Sequence, residues 1–306
     1  MTNAIETVDL ARRFRGHEAV NALTLKVPAG SLFALVGPNG AGKTTTIKML
    51  MNLIRPSGGR ATVLGADASR LGPKEFQRIG YVSENQELPD WMTPDQLLAY
   101  VRPFYPTWDR TLCEKLQCDL GLDTHMPLKR LSRGTRMKAA LLASLAYRPE
   151  LLVLDEPFTG LDPLVRDELI RALLELPGER PFTVFISSHD IDEVERLADW
   201  IGFLDRGRLA FAEPVSTLMN RFRLVEVVAQ DGSPPTASMP TSWIVQGVAG
   251  RTLRFVDSEH DFDGMSRIAS AFPGADIHVA PLSLREIFVA LARHSATSPA
   301  SLAEAS

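Results

Sequence analysis

Gly37-Pro38-Asn39-Gly40-Ala41-Gly42-Lys43-Thr44-Thr45 reads G-x-x-x-x-G-K-[ST], the pattern of a loop that cradles phosphate. The apolar run Ser31 to Val36 precedes it and suits a buried strand. Thr46 to Met51 follows it and suits a helix. Strand, glycine-rich turn and helix form the context this pattern requires. Glycines let the backbone turn tightly and aim successive N–H groups, here those of Gly37, Asn39, Gly40, Ala41, Gly42 and Thr45, at phosphate oxygens. The helix N-terminus adds partial positive charge there. Lys43 is placed to reach the outer phosphates, and the Thr44 hydroxyl to ligate Mg²⁺.

The chain of 306 residues has room for more than one domain. It is 45% hydrophobic and 23% charged, the balance of an ordinary globular protein. A formal net charge of −4 and the lack of a basic stripe argue against nucleic acid as a partner. Cys113 and Cys118 are spaced neither as a CxxC nor as a metal pair, and read as free thiols of a reducing compartment. The N-terminus lacks a signal pattern, and no apolar run reaches the ~18 residues of a membrane span. Docking on a membrane protein remains open.

Residues 4–10 and 21–27 alternate as strands. Between them, Arg12 to Gly16 reads as a connection. Phe14 there is either packing at a strand end or an aromatic platform for a nucleobase. Arg55 to Gly59 forms a turn, Ala61 to Leu64 a strand, Pro73 to Arg78 a short helix and Ile79 to Ser83 another strand. Residues 87–147 change character: strand signals nearly vanish and helical spacing takes over. Thr93-Pro94-Asp95-Gln96 is a helix start, and Leu112, Leu116 and Leu120 mark a further helix. Leu88, Trp91, Met92, Phe104, Tyr105 and Trp108 form either the core of this insertion or an exposed docking surface.

Leu151 to Leu154 is a continuous apolar strand ending in Asp155-Glu156. Such a strand delivers an acid pair to the carboxyl edge of a parallel sheet, where open α/β sheets bind ligands. Asp155 suits Mg²⁺, and Glu156 suits a base that orients water against a γ-phosphate. Asp162, in the turn Gly160 to Pro163, also suits the N-cap of a helix running through Leu176. Phe182 to Ser188 is another buried strand, and His189 at its end is placed like Asp155, within reach of phosphate. Residues 200–211 read as a hairpin about Asp205-Arg206-Gly207.

Together these elements resemble the ATP-binding subunit of a bacterial ABC transporter of export type, from about Ile5 to Leu218. The resemblance implies a P-loop NTPase core within an α/β fold: a mixed sheet, an antiparallel β subdomain and a helical insertion. It makes Phe14 the adenine-stacking aromatic, Gly37 to Thr45 the Walker A loop and Leu151 to Pro157 the Walker B strand. It makes Gly160 to Pro163 the D-loop and His189 the switch histidine. Leu131-Ser132-Arg133-Gly134-Thr135 falls at the LSGGQ signature. The sequence departs from the pattern at two places. Glu84 stands where Gln is common; it can still serve as a metal-side ligand, but adds negative charge. In the signature Thr135 replaces the glutamine and Arg133 a glycine, Arg133 either to compensate phosphate charge or to face the permease.

The resemblance further implies ATP and Mg²⁺ as cofactors and a head-to-tail pair, homodimeric or heterodimeric, enclosing two ATP molecules. Ser132 and Gly134 would act on the partner's ATP, while Lys43, Glu156 and His189 serve hydrolysis. A separate membrane-spanning permease would be the transport partner, with this subunit peripheral on the cytoplasmic face. Rival expectations are a soluble ABC ATPase acting on nucleic acid or ribosomes, and a low-turnover nucleotide-dependent regulatory module. The expected organisation is an ATPase domain over 1–215 with its insertion at about 87–147. A small α+β extension over 216–294 follows, a structural cap or dimer support or else a ligand sensor, and then a disordered tail over 295–306. Asp231 to Pro240 reads as a linker between strands of that extension.

Overall fold

Three parallel strands bring their carboxyl ends to one edge of a sheet, and the rest of the first unit is built around them. The structure, a computed structural model, describes residues 2–175, 182–230 and 239–297. It divides into two compact units, Met1–Ala212 and Glu213–Ser306. The linker expected at Asp231 to Pro240 lies outside the described residues for positions 231–238.

In the first unit, β1 (Asn3–Phe14) and β2 (His17–Pro28) form a long antiparallel hairpin. The sequence suggested a connection at Arg12 to Gly16; instead β1 runs on to Phe14. Arg15 and Gly16 alone make the turn, with φ of 36° and 90°, the twist a tight hairpin needs. After β3 (Leu32–Val36) and α1 (Lys43–Leu50), β4 (Gly58–Val63) pairs with β1, and β5 (Ala66–Asp67) pairs with β4. The resulting four-stranded sheet has the order β2-β1-β4-β5.

The chain then passes through α2 (Pro73–Phe76) to β6 (Ile79–Ser83). The helical segment holds α3 (Pro94–Val101), α4 (Arg110–Asp119) and α5 (Arg133–Leu145). Thr93 caps α3, as the local sequence predicts, and Gln96 closes a reciprocal box with it. The large apolar side chains of the helical segment divide between interior and surface. Met92 is buried and Tyr105 stacks on Tyr147 at 3.7 Å, whereas Trp91 is 70% exposed and Phe104 59%. After α5 come β7 (Leu151–Asp155), α6 (Pro163–Leu174), β8 (Thr183–Ser188), α7 (Ile191–Leu197), β9 (Trp200–Asp205) and β10 (Arg208–Pro214). Asp162 does cap α6, accepting from the backbone N–H groups of Leu164 and Val165. The second sheet has the order β10-β9-β3-β8-β7-β6, parallel from β9 through β6. Every residue of β7 and β8 is buried, which is why both read as apolar runs rather than alternating strands.

The second unit holds α8 (Val215–Arg221), β11 (Arg223–Val228), β12 (Trp243–Ala249), β13 (Thr252–Asp257), α9 (Gly264–Ala271), β14 (Asp276–Pro281) and α10 (Leu284–Thr297). Its antiparallel sheet runs β12-β13-β11-β14. Val225, Val227, Leu253 and Phe255 line one face with Ile268 of α9, and Trp243 stacks on Phe255 at 4.6 Å. Sequence reading missed α8 in this unit, as it missed β5 and α7 in the first, and it missed β14. Only Ile277 and Val279 alternate inward, too few to mark a strand without its partner β11. The α10 backbone reaches Thr297, past the expected start of the tail at Ser295. The remainder of that tail lies outside the described residues.

Candidate active site

Register brings the candidate residues together. β8 lies between β3 and β7, with Val36 opposite Ser188 and Asp155 opposite Ser187. On the far side of β7, Ser83 of β6 pairs with Asp155. The four strands therefore end level. The segments leaving them, Gly37 onward, His189, Glu156 and Glu84, emerge at one edge.

The glycine-rich loop fits only as written. A Cβ on Gly37 would lie 2.0 Å from the Leu204 carbonyl oxygen. Gly42 has φ of 104°, and a Cβ there would lie 2.4 Å from the Ala19 carbonyl oxygen. No other residue type meets both demands. Beyond the loop, Lys43 is 5% exposed and its ammonium donates to the Gly37 carbonyl at 2.7 Å and to that of Pro38 at 3.2 Å. The same Nζ lies 3.1 Å from Glu156 Oε1.

Glu156 is the most constrained side chain of the group. Its φ is 51°, a left-handed conformation that costs a non-glycine residue energy and persists only where the surroundings impose it. Its N–H donates to the carbonyl and hydroxyl oxygens of Ser187. Its Oε2 accepts from the Thr159 hydroxyl at 3.1 Å and lies 2.7 Å from His189 Nδ1. Burial pushes the Glu156 carboxyl up, but the His189 hydrogen bond and the Lys43 charge outweigh it and hold it below the usual glutamate range. An ionised carboxylate only accepts, so Nδ1 carries the proton of the His189–Glu156 contact.

Asp155 is driven the other way. Burial, the largest influence, raises its carboxyl against the hydrogen bonds from Ser187 and Thr44. Thr44 Oγ1 donates to Asp155 Oδ1 at 3.0 Å and Ser187 Oγ donates to the same oxygen at 2.7 Å. Adjacent carboxylates pushed in opposite directions are suited to different tasks.

These groups open on a cavity of about 620 Å³, the size of a small-molecule site. It is lined by Phe14, His17 and Ala19, by Asn39 to Thr45, and by Glu84, Glu156, Thr159 and His189. Phe14 is 42% exposed, and the Arg12 guanidinium, which does not line the cavity, sits over the ring at 4.4 Å from its centroid. Ser132 and Gly134 are not among the residues lining this cavity. Ser132 caps α5, accepting from the Thr135 N–H at 3.1 Å. Gly134 is buried against Val165, whose Cγ1 would lie 2.8 Å from an added Cβ.

Sequence reading missed Thr159 and Ser187, both of which touch the acid pair. Thr159 stands three positions after Glu156 in the turn, and Ser187 lies opposite Asp155 only through strand register. It also missed the groups that hold both neighbours of His189. Asp190 caps α7 and pairs with Arg166 at 3.0 Å, while Ser188 donates to buried Glu193 at 2.8 Å.

Residues 20–159 match the family model described as ABC transporter. The bacitracin transport ATP-binding protein BcrA of Bacillus licheniformis is 32% identical over 225 residues, covering 73% of this chain and 74% of that protein. This chain belongs to the ABC transporter ATP-binding family. The daunorubicin/doxorubicin resistance ATP-binding protein DrrA of Streptomyces peucetius is 37% identical over 216 residues, 68% of this chain and 64% of that one. A solved ATP-binding subunit of an ABC transporter superposes with a TM-score of 0.64 at 25% identity, covering 72% of this chain and 92% of that chain. An ATP-binding cassette in a dimeric post-hydrolysis state bound to ADP and Pi shares the fold, with a TM-score of 0.62 at 19% identity over 69% of this chain and 98% of that chain. The ABC subunit described here has the P-loop α/β fold with its antiparallel sheet and helical insertion. It binds and hydrolyses ATP and partners a permease, another ATPase subunit or both. Among its described residues no helix is long and apolar enough to cross a membrane.

Proposed function

We propose that this ABC subunit hydrolyses ATP at the edge where β3, β7 and β8 end, as one of a head-to-tail pair on the cytoplasmic face of the membrane. The observation that carries the reading is the single carboxylate of Glu156 held between Lys43 and His189. Phe14 stacks on the base. The backbone N–H groups from Gly37 through Thr45, with Lys43, take the phosphates. Glu156 orients water and accepts its proton, and its left-handed backbone fixes the carboxylate toward the cavity. His189 holds Glu156 through Nδ1–H, which in the neutral ring leaves Nε2 as an acceptor for a water hydrogen.

Mg²⁺ fits the oxygen atoms present. Thr44 Oγ1 and Asp155 Oδ1 lie 3.0 Å apart, and Asp155 is a buried carboxylate whose ionisation a cation would favour. Among the described residues no group of His, Cys, Asp and Glu forms a full protein cage. That suits an ion that keeps waters and substrate phosphates as ligands. Bound there, it would neutralise charge on the phosphate oxygens. Glu84 lines the cavity on the same side, as an outer oxygen donor, with its carboxylate engaged by Arg133.

Ser132 and Gly134 complete the site of the second subunit, a copy of this chain or a related one; that neither lines its own P-loop cavity supports that role. The helical segment at 87–147 docks the permease through its exposed Trp91 and a cavity of about 360 Å³ that Leu88 helps line. Residues 216–294 serve as a structural cap or dimer support. The drug-resistance relative supports export as the direction of transport. Glu156→Gln tests the reading: it is expected to retain ATP, abolish phosphate release and shift the chain to a dimer on size-exclusion chromatography with ATP present. Wild-type turnover by that variant would remove Glu156 from the mechanism.

A further inference from the structure

Two of the departures from the family's sequence pattern meet in space. Arg133 Nη2 donates to Glu84 Oε1 at 2.7 Å, across 49 positions of chain. Each partner is anchored by its own element. The Glu84 N–H donates to the Asp155 carbonyl at 2.9 Å, which fixes it to the end of β7. Arg133 is the first residue of α5. Its guanidinium also lies on Gly160, where an added Cβ would come 2.8 Å from Nη1.

Glu84 borders two cavities, and Arg133 shares only one of them. Glu84 lines the P-loop cavity, beside Lys43 and Glu156. Arg133 does not; with Glu84 it lines a neighbouring cavity of about 360 Å³. The negative charge therefore borders the space that takes a triphosphate, and its countercharge stands behind it. Unpaired, Glu84 would add to Asp155 and Glu156 around an anionic ligand, and like charges at this range repel.

We propose that Arg133 is a positioning and charge-compensating residue for nucleotide binding: by holding Glu84 it keeps the metal side of the P-loop cavity open to a triphosphate, and it ties the loop after β6 to the start of α5. This rests on the P-loop cavity being the ATP site. The test is equilibrium binding of ATP to the full chain, in EDTA and in Mg²⁺, for wild type, Arg133→Ala, Arg133→Lys, Glu84→Gln, the Arg133→Ala/Glu84→Gln pair and Lys43→Ala. Arg133→Ala is expected to weaken binding about threefold to fivefold at low salt. The loss should be larger in EDTA and fade toward 1 M salt, where the Debye length is roughly 3 Å. Glu84→Gln in that background restores binding to within about twofold, and Arg133→Lys stays within the same margin. Unchanged binding in Arg133→Ala overturns the proposal, as does a loss that Glu84→Gln does not rescue or that salt does not reduce. Undiminished binding in Lys43→Ala would instead remove the P-loop assignment on which the proposal stands.

Discussion

The Glu156 carboxylate lies 3.1 Å from the Lys43 ammonium, with the two side chains 12% and 5% exposed. This contact ties the end of β7 to the start of α1 and, with the His189 hydrogen bond, holds the Glu156 carboxyl below the usual glutamate range. It makes the pair sensitive to acid. Glu156 ionises below its ordinary value of 4.5 in the folded chain. A lowered carboxyl adds stability above the unfolded value and loses it as pH falls through the folded one. The melting temperature of wild type relative to Glu156→Gln is therefore expected to decline as pH drops below about 4.5. A difference independent of pH would contradict the pairing.

Lys43→Met removes the cation and leaves a buried carboxylate with His189 and Thr159 as its remaining side-chain donors. Loss of ATP binding is expected, together with a Glu156 carboxyl that titrates higher. Isothermal calorimetry and carboxylate NMR report the two effects separately. ATP binding at wild-type strength would show that the ammonium does not contact phosphate.

Gly134→Ala sets helix propensity against packing. Within a helix the change ordinarily stabilises by about 1 kcal/mol. Here the new Cβ would meet Val165 Cγ1 at 2.8 Å, and overpacking of this kind costs roughly 1–3 kcal/mol. Net destabilisation in urea unfolding is expected, with partial recovery in Gly134→Ala/Val165→Ala. Stabilisation by Gly134→Ala alone would place the signature helix farther from α6.

Tyr147→Phe deletes a hydroxyl that donates to the Ile79 carbonyl at 2.9 Å, joining the segment after α5 to β6. The buried carbonyl loses its side-chain donor, at a cost of about 1–3 kcal/mol. Burial pushes the Tyr147 phenol well above the usual range. Its contribution is thus present below the unfolded value near 10 and is lost as pH rises beyond it. Tyr147→Phe should melt earlier than wild type at pH 8 and converge with it in alkali.

Trp91→Glu places a charge on an indole that is 70% exposed. Copurification with the permease is expected to fall while ATP binding by the isolated chain stays unchanged. Intact copurification and transport would assign Trp91 to the free surface.

The chain's own order of residues determined a great deal. The P-loop, the apolar strand ending in Asp155-Glu156, the strand ending before His189 and the caps at Thr93 and Asp162 are local patterns. Each depends on neighbours within a few positions, so each is legible without partners. Tertiary structure decided what depends on register and on contacts between distant segments. Sandwiching β8 between β3 and β7 set Ser187 against Asp155 and brought His189 to Glu156. Pairing with β11 turned the weakly patterned 276–281 stretch into β14. Most of all, Glu84 and Arg133 were two separate oddities in the sequence. Folding joined them, because a carboxylate at the end of one strand and a guanidinium at the start of one helix neutralise each other only when the chain between them returns to the same edge.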